Sequence, residues 1–242
     1  MSGGAIYQET LRVLRRQDLP EVAEQDVLVA LEAAHPGPLG LLYAAGVEAQ
    51  LRHEVILTRG AGIFLSFAAG NLADDLCDGE CGYYPEPVRV GPYVQFLLQN
   101  LAWGTLARAQ VPVPVRCEAA HGLARAAGPQ ALEVRTRQWT APVFQQVAEG
   151  LAGQQWATYL RLLWDGTRLS EQAVAGRWLG IAAHVAEDIR SRDARFFSMP
   201  EADQREVVRW AWAAVANVQG LGLQCLESAL KRIEPLLPEA VP

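Results

Sequence analysis

The sequence predicts an all-α protein, one large helical bundle spanning residues 1–242 around a central apolar cavity. Three observations point there. Ala, Leu, Glu, Gln and Arg dominate and β-branched runs are short, so helix propensity exceeds strand propensity almost throughout. Pro and Gly clusters cut the chain into pieces of helical length. Several of these pieces, such as residues 172–186, are apolar on more than one side. That pattern suits helices in the middle of a bundle rather than on its surface.

Taken in order, helices are expected near 5–17, 20–34, 38–57, 60–79, 90–109, 114–127, 129–164, 168–193 and 201–235. Pro20 separates the first two, and the His35-Pro36-Gly37-Pro38 run ends the second. Later breaks fall at Gly82 to Gly91, Val111 to Pro114, Gly128-Pro129, Asp165-Gly166 and Ser198 to Pro200. Pro129 and Pro200 suit first helical turns, and Ser170 and Ser198 suit N-caps. Pro142, Gly150 and Gly153 mark the 129–164 segment as kinked or split. No internal repeat or low-complexity linker interrupts the pattern.

The composition narrows the function classes. Half of the 242 residues are hydrophobic and 20% are charged, as in a globular chain with a sizeable core. The net charge of −6, with no basic block, argues against nucleic acid as the main partner. Polar or small residues interrupt every apolar run before the roughly 20 residues that span a bilayer, so no transmembrane segment is expected. The first ten residues lack the charged and apolar regions of a secretory signal. Lysine occurs once, at Lys231, so a phosphate clamp here must be built from arginine forks. Cys77, Cys81, Cys117 and Cys225 form no zinc-type set and read as reduced thiols of a cytoplasmic protein, with Cys77 facing a neighbouring helix.

The most informative stretch is Gly70-Asn-Leu-Ala-Asp74-Asp75-Leu-Cys-Asp78-Gly-Glu80, which ends an apolar helical run. Residues three and four apart share a helix face, so Asp74, Asp75 and Asp78 crowd one side. Acids at a helix C-terminus oppose the helix dipole, and three on one face repel one another unless a cation sits among them. A hard divalent ion such as Mg²⁺ uses a few carboxylates and leaves its other positions to water and substrate phosphates. A second apolar helix ends in Glu187-Asp188-Ile-Arg190-Ser191-Arg192-Asp193. Glu187 and Ser191 share a face there, with Asp188 beside them. Alone, that run also reads as a surface network of Glu187, Arg190, Arg192 and Asp193.

Together these motifs resemble the class I isoprenoid synthases, and within them the polyprenyl (trans-isoprenyl) diphosphate synthases. Asp74-Asp75-x-x-Asp78-Gly matches that family's first aspartate-rich motif in type and spacing. The run from Leu179 to Ile189 looks like the stretch around the second, and Gly153-Gln154 is similar to a Gly-Gln pair between them. The resemblance covers roughly residues 40 to 200. It implies a Mg²⁺-dependent enzyme that ionises an allylic prenyl diphosphate for prenyl transfer or chain elongation, with isopentenyl diphosphate as the second substrate. It further implies that Asp74, Asp75, Asp78, Glu187 and Asp188 act in catalysis and, with Ser191, hold metal. Arg177, Arg190, Arg192, Gln154, Asn71, Gly70 and Phe67 would bind substrate. Small Gly70 would leave the chain tunnel open, and an aromatic below it, Phe67 or Phe64, would close it. A homodimer also follows from the resemblance.

The chain departs from that family in several places. The second motif has Glu187 for its first Asp and Ser191 for its last. The arginine pair after the first motif is missing, leaving Arg89, and the N-terminal isopentenyl diphosphate segment is not recognisable. Arg177 stands where the family's lysine between the motifs is absent. Glu187-Asp188-x-x-Ser191 also partly resembles the terpene cyclase motif, but position 195 is Arg rather than Glu. A cyclase and a non-catalytic prenyl-diphosphate or lipid binder are therefore alternatives. A third is a di-iron oxidoreductase, because Glu32-x-x-His35 and Glu118-x-x-His121 have Glu-x-x-His spacing, with Glu54 and Glu149 available. His53 and His184 read as core or cavity histidines.

Overall fold

The computed structural model describes residues 3–34 and 37–239, and among them every regular element is helical. The chain divides into two compact units, residues 1–116 and 117–242.

The first unit is built on one long helix. Its elements are α1 (Gly3–Arg15), α2 (Glu21–Ala34), α3 (Leu39–Glu48), α4 (His53–Asp78) and α5 (Pro87–Arg108). α4 packs against all four others. Ile56, Arg59 through Ser66, Ala68, Ala69 and Leu72 are all buried, so α4 is enclosed on every side along its middle. Each fully buried side chain the size of Ile63 or Phe64 contributes about 1.5–3 kcal/mol relative to exposure. By length and composition the 26 residues of α4 would cross a bilayer, contrary to the sequence expectation, but 67% of its most apolar stretch is buried within the protein. Burial on this scale is that of a core helix.

The expected division between 38–57 and 60–79 lies elsewhere. The chain turns at 49–52, where Gln50 takes a left-handed φ of 58°. Thr58 and Arg59, placed in the gap by the sequence reading, sit inside α4. Gln carries no turn signature, so periodicity alone misplaced the break. At the far end Gly79, with φ 74°, caps α4 in the left-handed conformation. That cap stops the helix directly after Asp78.

The second unit is reached through α6 (Val113–Arg135). It contains α7 (Ala141–Ala148), a π turn (Glu149–Gly153), α8 (Gln154–Trp164), a 3-10 turn (Ser170–Val174), α9 (Ala175–Ser191), α10 (Ala194–Phe197), α11 (Glu201–Gln219) and α12 (Gln224–Ile233). Pro129 does not open a helix; it lies inside α6. The ring costs one backbone hydrogen bond. It seats on Gly150, where any Cβ would overlap it. The 129–164 segment is split at 136–140 and again by the π turn, and 201–235 is split at 220–223. Ser170 and Ser198 are not N-caps. Their hydroxyls donate to the carbonyls of Trp164 and Thr167, and of Arg195.

α9 is the centre of this unit, packing against α7, α8, α11 and α12. Gly180 lies on the Ala152 carbonyl and Gly176 on the Trp156 carbonyl, so close that a Cβ at either position would overlap backbone. Backbone-to-backbone contact of this kind sets the depth of α9 and the position of its acidic C-terminus.

Candidate functional site

The candidate features are one acidic helix end in the first unit and, in the second unit, a second acidic helix end and an arginine-lined cleft. At the end of α4, Asp74 and Asp78 are exposed and one turn apart. Asp75 is half-buried and held from two sides. Its Oδ2 accepts a hydrogen bond from Asn71 Nδ2 at 2.9 Å and another from the Tyr83 hydroxyl at 2.6 Å. Burial first, and then the bond to Asp75, push the Tyr83 phenol far above its ordinary range, so it remains a donor.

The loop that supplies Tyr83 is itself anchored. The Tyr84 hydroxyl donates to the Asp26 carbonyl on α2, and the Tyr93 hydroxyl on α5 donates to the Asp26 carboxylate. The Tyr83 and Tyr84 rings lie 5.0 Å apart. Cys81 is buried, with its Sγ 3.5 Å from the Tyr83 hydroxyl. Cys77 is exposed. Arg89 is exposed and pairs with Glu86 at 3.0 Å. Phe67 is half-buried, with its ring edge against the Gly37 backbone, while Phe64 is fully buried and meets Tyr7 edge-on at 6.1 Å.

The end of α9 has a different arrangement. Glu187 faces solvent and forms a two-pronged pair with Arg190, one contact being Nε to Oε2 at 3.0 Å. Asp188, one residue later, is only 5% exposed. Its Oδ2 lies 3.8 Å from His184 Nε2. His184 is half-buried against Phe144, whereas His53 is exposed beside Tyr43. The Ser191 hydroxyl turns to the Asp188 carbonyl at 3.4 Å, and Arg192 is the exposed left-handed cap of α9.

Beyond this cap, Arg195 binds Asp193 with two prongs, Nε to Oδ1 at 2.9 Å and Nη2 to Oδ2 at 2.6 Å. Its Nη1 also donates to Glu133 of α6, whose carboxylate is buried. Burial would raise the Asp193 carboxyl, but the Arg195 hydrogen bonds and charge hold it below its ordinary value.

The π turn and α8 open a cleft of about 530 Å³ lined by Arg125, Gln145, Glu149, Gln154, Arg177 and Trp210, among others. Arg177 pairs with Glu149 and lies 5.3 Å from the Trp178 ring. Its buried Nε has no hydrogen-bond partner among the described residues. Gln154, which follows the π turn, reaches Thr158 at 3.3 Å. π turns are frequent where a helix is distorted for a functional reason.

The donor sets differ in their fit to Mg²⁺. Among the described residues, no three His, Cys, Asp or Glu side chains gather closely enough to hold a metal ion. Two carboxylates suffice for Mg²⁺ when substrate phosphates and water supply the rest. Asp74 and Asp78, exposed and one turn apart, fit that requirement. Glu187, Asp188 and Ser191 do not, because they point to three different partners. The di-iron set is not assembled either: Glu118 pairs with Arg161 at 3.7 Å, Glu149 with Arg177, and His121 and Glu54 are exposed. His35 lies outside the described residues.

Solved structures resemble this architecture over nearly its full length. A geranyltranstransferase from Thermotoga maritima matches with a TM-score of 0.70 at 16% identity, over 96% of each chain. A geranyltransferase from Legionella pneumophila matches with a TM-score of 0.71 at 14% identity, over 98% of this chain and 94% of that one. An FPP/GFPP synthase from Zymomonas mobilis matches with a TM-score of 0.64 at 21% identity, over 96% of each chain. The chain has the isoprenoid-synthase fold. No sequence-family model matches it, and no curated protein matches it by sequence.

Within the isoprenoid-synthase fold, several side chains that shape the two acidic ends escaped sequence reading. Glu133, Tyr83 and Arg195 meet partners far along the chain or across a loop. The Asn71–Asp75 bond alone had a visible signal, the i,i+4 spacing of an amide donor and a carboxylate.

Proposed function

We propose that this chain binds an allylic prenyl diphosphate with Mg²⁺ and catalyses prenyl transfer. The observation that carries the reading is the pair Asp74 and Asp78, exposed one turn apart at the end of a helix otherwise enclosed by apolar side chains, in a chain of isoprenoid-synthase fold. Mg²⁺ held there with the diphosphate would stabilise the negative charge of the leaving group. Asp75, oriented by Asn71 and Tyr83, keeps the end of α4 in register beneath that pair. The apolar side chains that enclose the body of α4 keep water out of the interior behind that pair. Within the second unit taken by itself, Arg177, beside Gln154 in the cleft and paired with Glu149, is a planar cation of the kind that suits phosphate oxygens.

A second reading is a non-catalytic prenyl-diphosphate binder. Arg89, the sole arginine between Glu80 and Gly91, is tied to Glu86, and Glu187 to Arg190, so cations and acids expected at a synthase site are committed elsewhere.

Calorimetric titration with farnesyl diphosphate, with and without Mg²⁺, tests the reading. Mg²⁺-dependent binding that disappears in Asp74→Ala/Asp78→Ala supports it, and no binding in either condition refutes it. Adding isopentenyl diphosphate and analysing products separates a synthase from a cyclase or a binder.

A further inference from the structure

The acidic end of α9 has the composition of a metal motif but another internal order. Three carboxylates are arranged around Arg195 rather than around one common point: Glu133 from α6 and Asp193 after α9 bind it directly, and Asp188 at the end of α9 lies within reach of its charge. Glu133 and Asp188 are 6% and 5% exposed. Buried acids need a cation or must be neutralised by protonation. The cation is already present in the chain. Arg195 donates to Glu133 and grips Asp193 with two prongs, and its charge also acts on Asp188.

We propose that the Arg195 guanidinium takes the place of a metal ion at the second acidic motif, so that divalent metal binds this protein only through Asp74 and Asp78. A guanidinium cannot shed its proton in a protein, so its charge stays in place and repels a divalent ion. The remaining residues of the motif reinforce this. Glu187 is turned out to Arg190, and Ser191 is turned back to the Asp188 carbonyl. Coordination would require breaking the outer pair and rotating Glu187 toward a site that already holds a positive charge. Arg195 is thus a positioning residue: it neutralises the buried acids and ties the α9 terminus to α6.

Counting bound Mn²⁺ by electron paramagnetic resonance on the full chain tests this without reference to activity. Wild type should lose its bound Mn²⁺ in Asp74→Ala/Asp78→Ala, and the count should be unchanged in Glu187→Gln/Asp188→Asn. Arg195→Gln should gain one ion, bound at least tenfold tighter than any second ion in wild type. Arg195→Lys, which restores a cation, should abolish that gain. Loss of an ion in Glu187→Gln/Asp188→Asn would overturn the proposal, and so would a folded Arg195→Gln that gains none. If Arg195→Gln fails to fold, the count in Glu187→Gln/Asp188→Asn decides. A wild type that binds no Mn²⁺ would refute the Asp74/Asp78 half of the proposal and count against the proposed function; the gain in Arg195→Gln would still report on the guanidinium.

Discussion

The Tyr83 hydroxyl donates to Asp75 Oδ2 at 2.6 Å, joining the loop after α4 to the middle carboxylate of the first acidic motif. Asn71 donates to the same oxygen from one turn earlier. One oxygen therefore receives a donor from the helix and a donor from the loop, which explains why Asp75 lies half-buried between its exposed neighbours Asp74 and Asp78.

Removing the loop donor should loosen this end of α4. Tyr83→Phe keeps the ring contact with Tyr84 and deletes the hydroxyl that binds Asp75 and meets Cys81 Sγ. A bond to a charged, half-buried acceptor is worth about 1–2 kcal/mol. Urea denaturation should show a loss of that size. Tyr83→Phe combined with Asn71→Ala should cost more than the sum of the two single changes, because each donor partly covers for the other. Strict additivity would mean that the two bonds act independently.

The close approach of α9 to the π turn and α8 predicts a sharp contrast between glycines. Gly180→Ala would drive a methyl group into the Ala152 carbonyl. Backbone cannot yield as a flexible side chain does, so the loss should be about 2 kcal/mol or more. Gly104 is also helical, but it is exposed and a Cβ there meets nothing within 4 Å. Gly104→Ala should raise stability by roughly 0.5–1 kcal/mol. Thermal melts of the two variants should move in opposite directions.

Alkaline pH should destabilise the first unit through its tyrosines. The hydrogen bond to Asp26, with smaller help from burial, pushes the Tyr93 phenol up to about 12. Burial, followed by the Asp26 charge, also raises Tyr84. Both folded values lie above the ordinary value of 10.0. The unfolded chain therefore loses these protons first, and stability falls as pH rises. The contribution should be intact below pH 10 and lost progressively as pH climbs through about 12. Denaturant midpoints measured across that range should show the decline, and Tyr93→Phe should flatten it.

Phe67 tests the tunnel reading within the proposed function. It is half-buried below Gly70, with its ring edge against Gly37. Phe67→Ala should shift the preferred ligand or product toward a longer prenyl chain by at least one isoprene unit. Binding titrations with prenyl diphosphates of increasing length provide the measurement. An unchanged length preference would remove Phe67 from that role.

The all-α class and the Asp74-Asp75-x-x-Asp78 spacing follow from local chemistry. Helix propensity, turn residues and the period of 3.6 act over a few residues, so they can be read along the chain. The split of the second motif could not be read this way. Glu187 and Asp188 are chain neighbours, but adjacent helical residues point about 100° apart. Only the packing of α9 decides which of them is buried. Gly176 and Gly180 set that packing by pressing α9 onto the backbone before and within α8. The partner of Arg195 is equally non-local, since Glu133 lies 62 residues earlier. The sequence by itself determined the helices, their acidic ends and the resemblance to isoprenoid synthases. The tertiary structure decided which carboxylates meet solvent and which meet an arginine, because burial and pairing depend on contacts between distant segments that no local periodicity encodes.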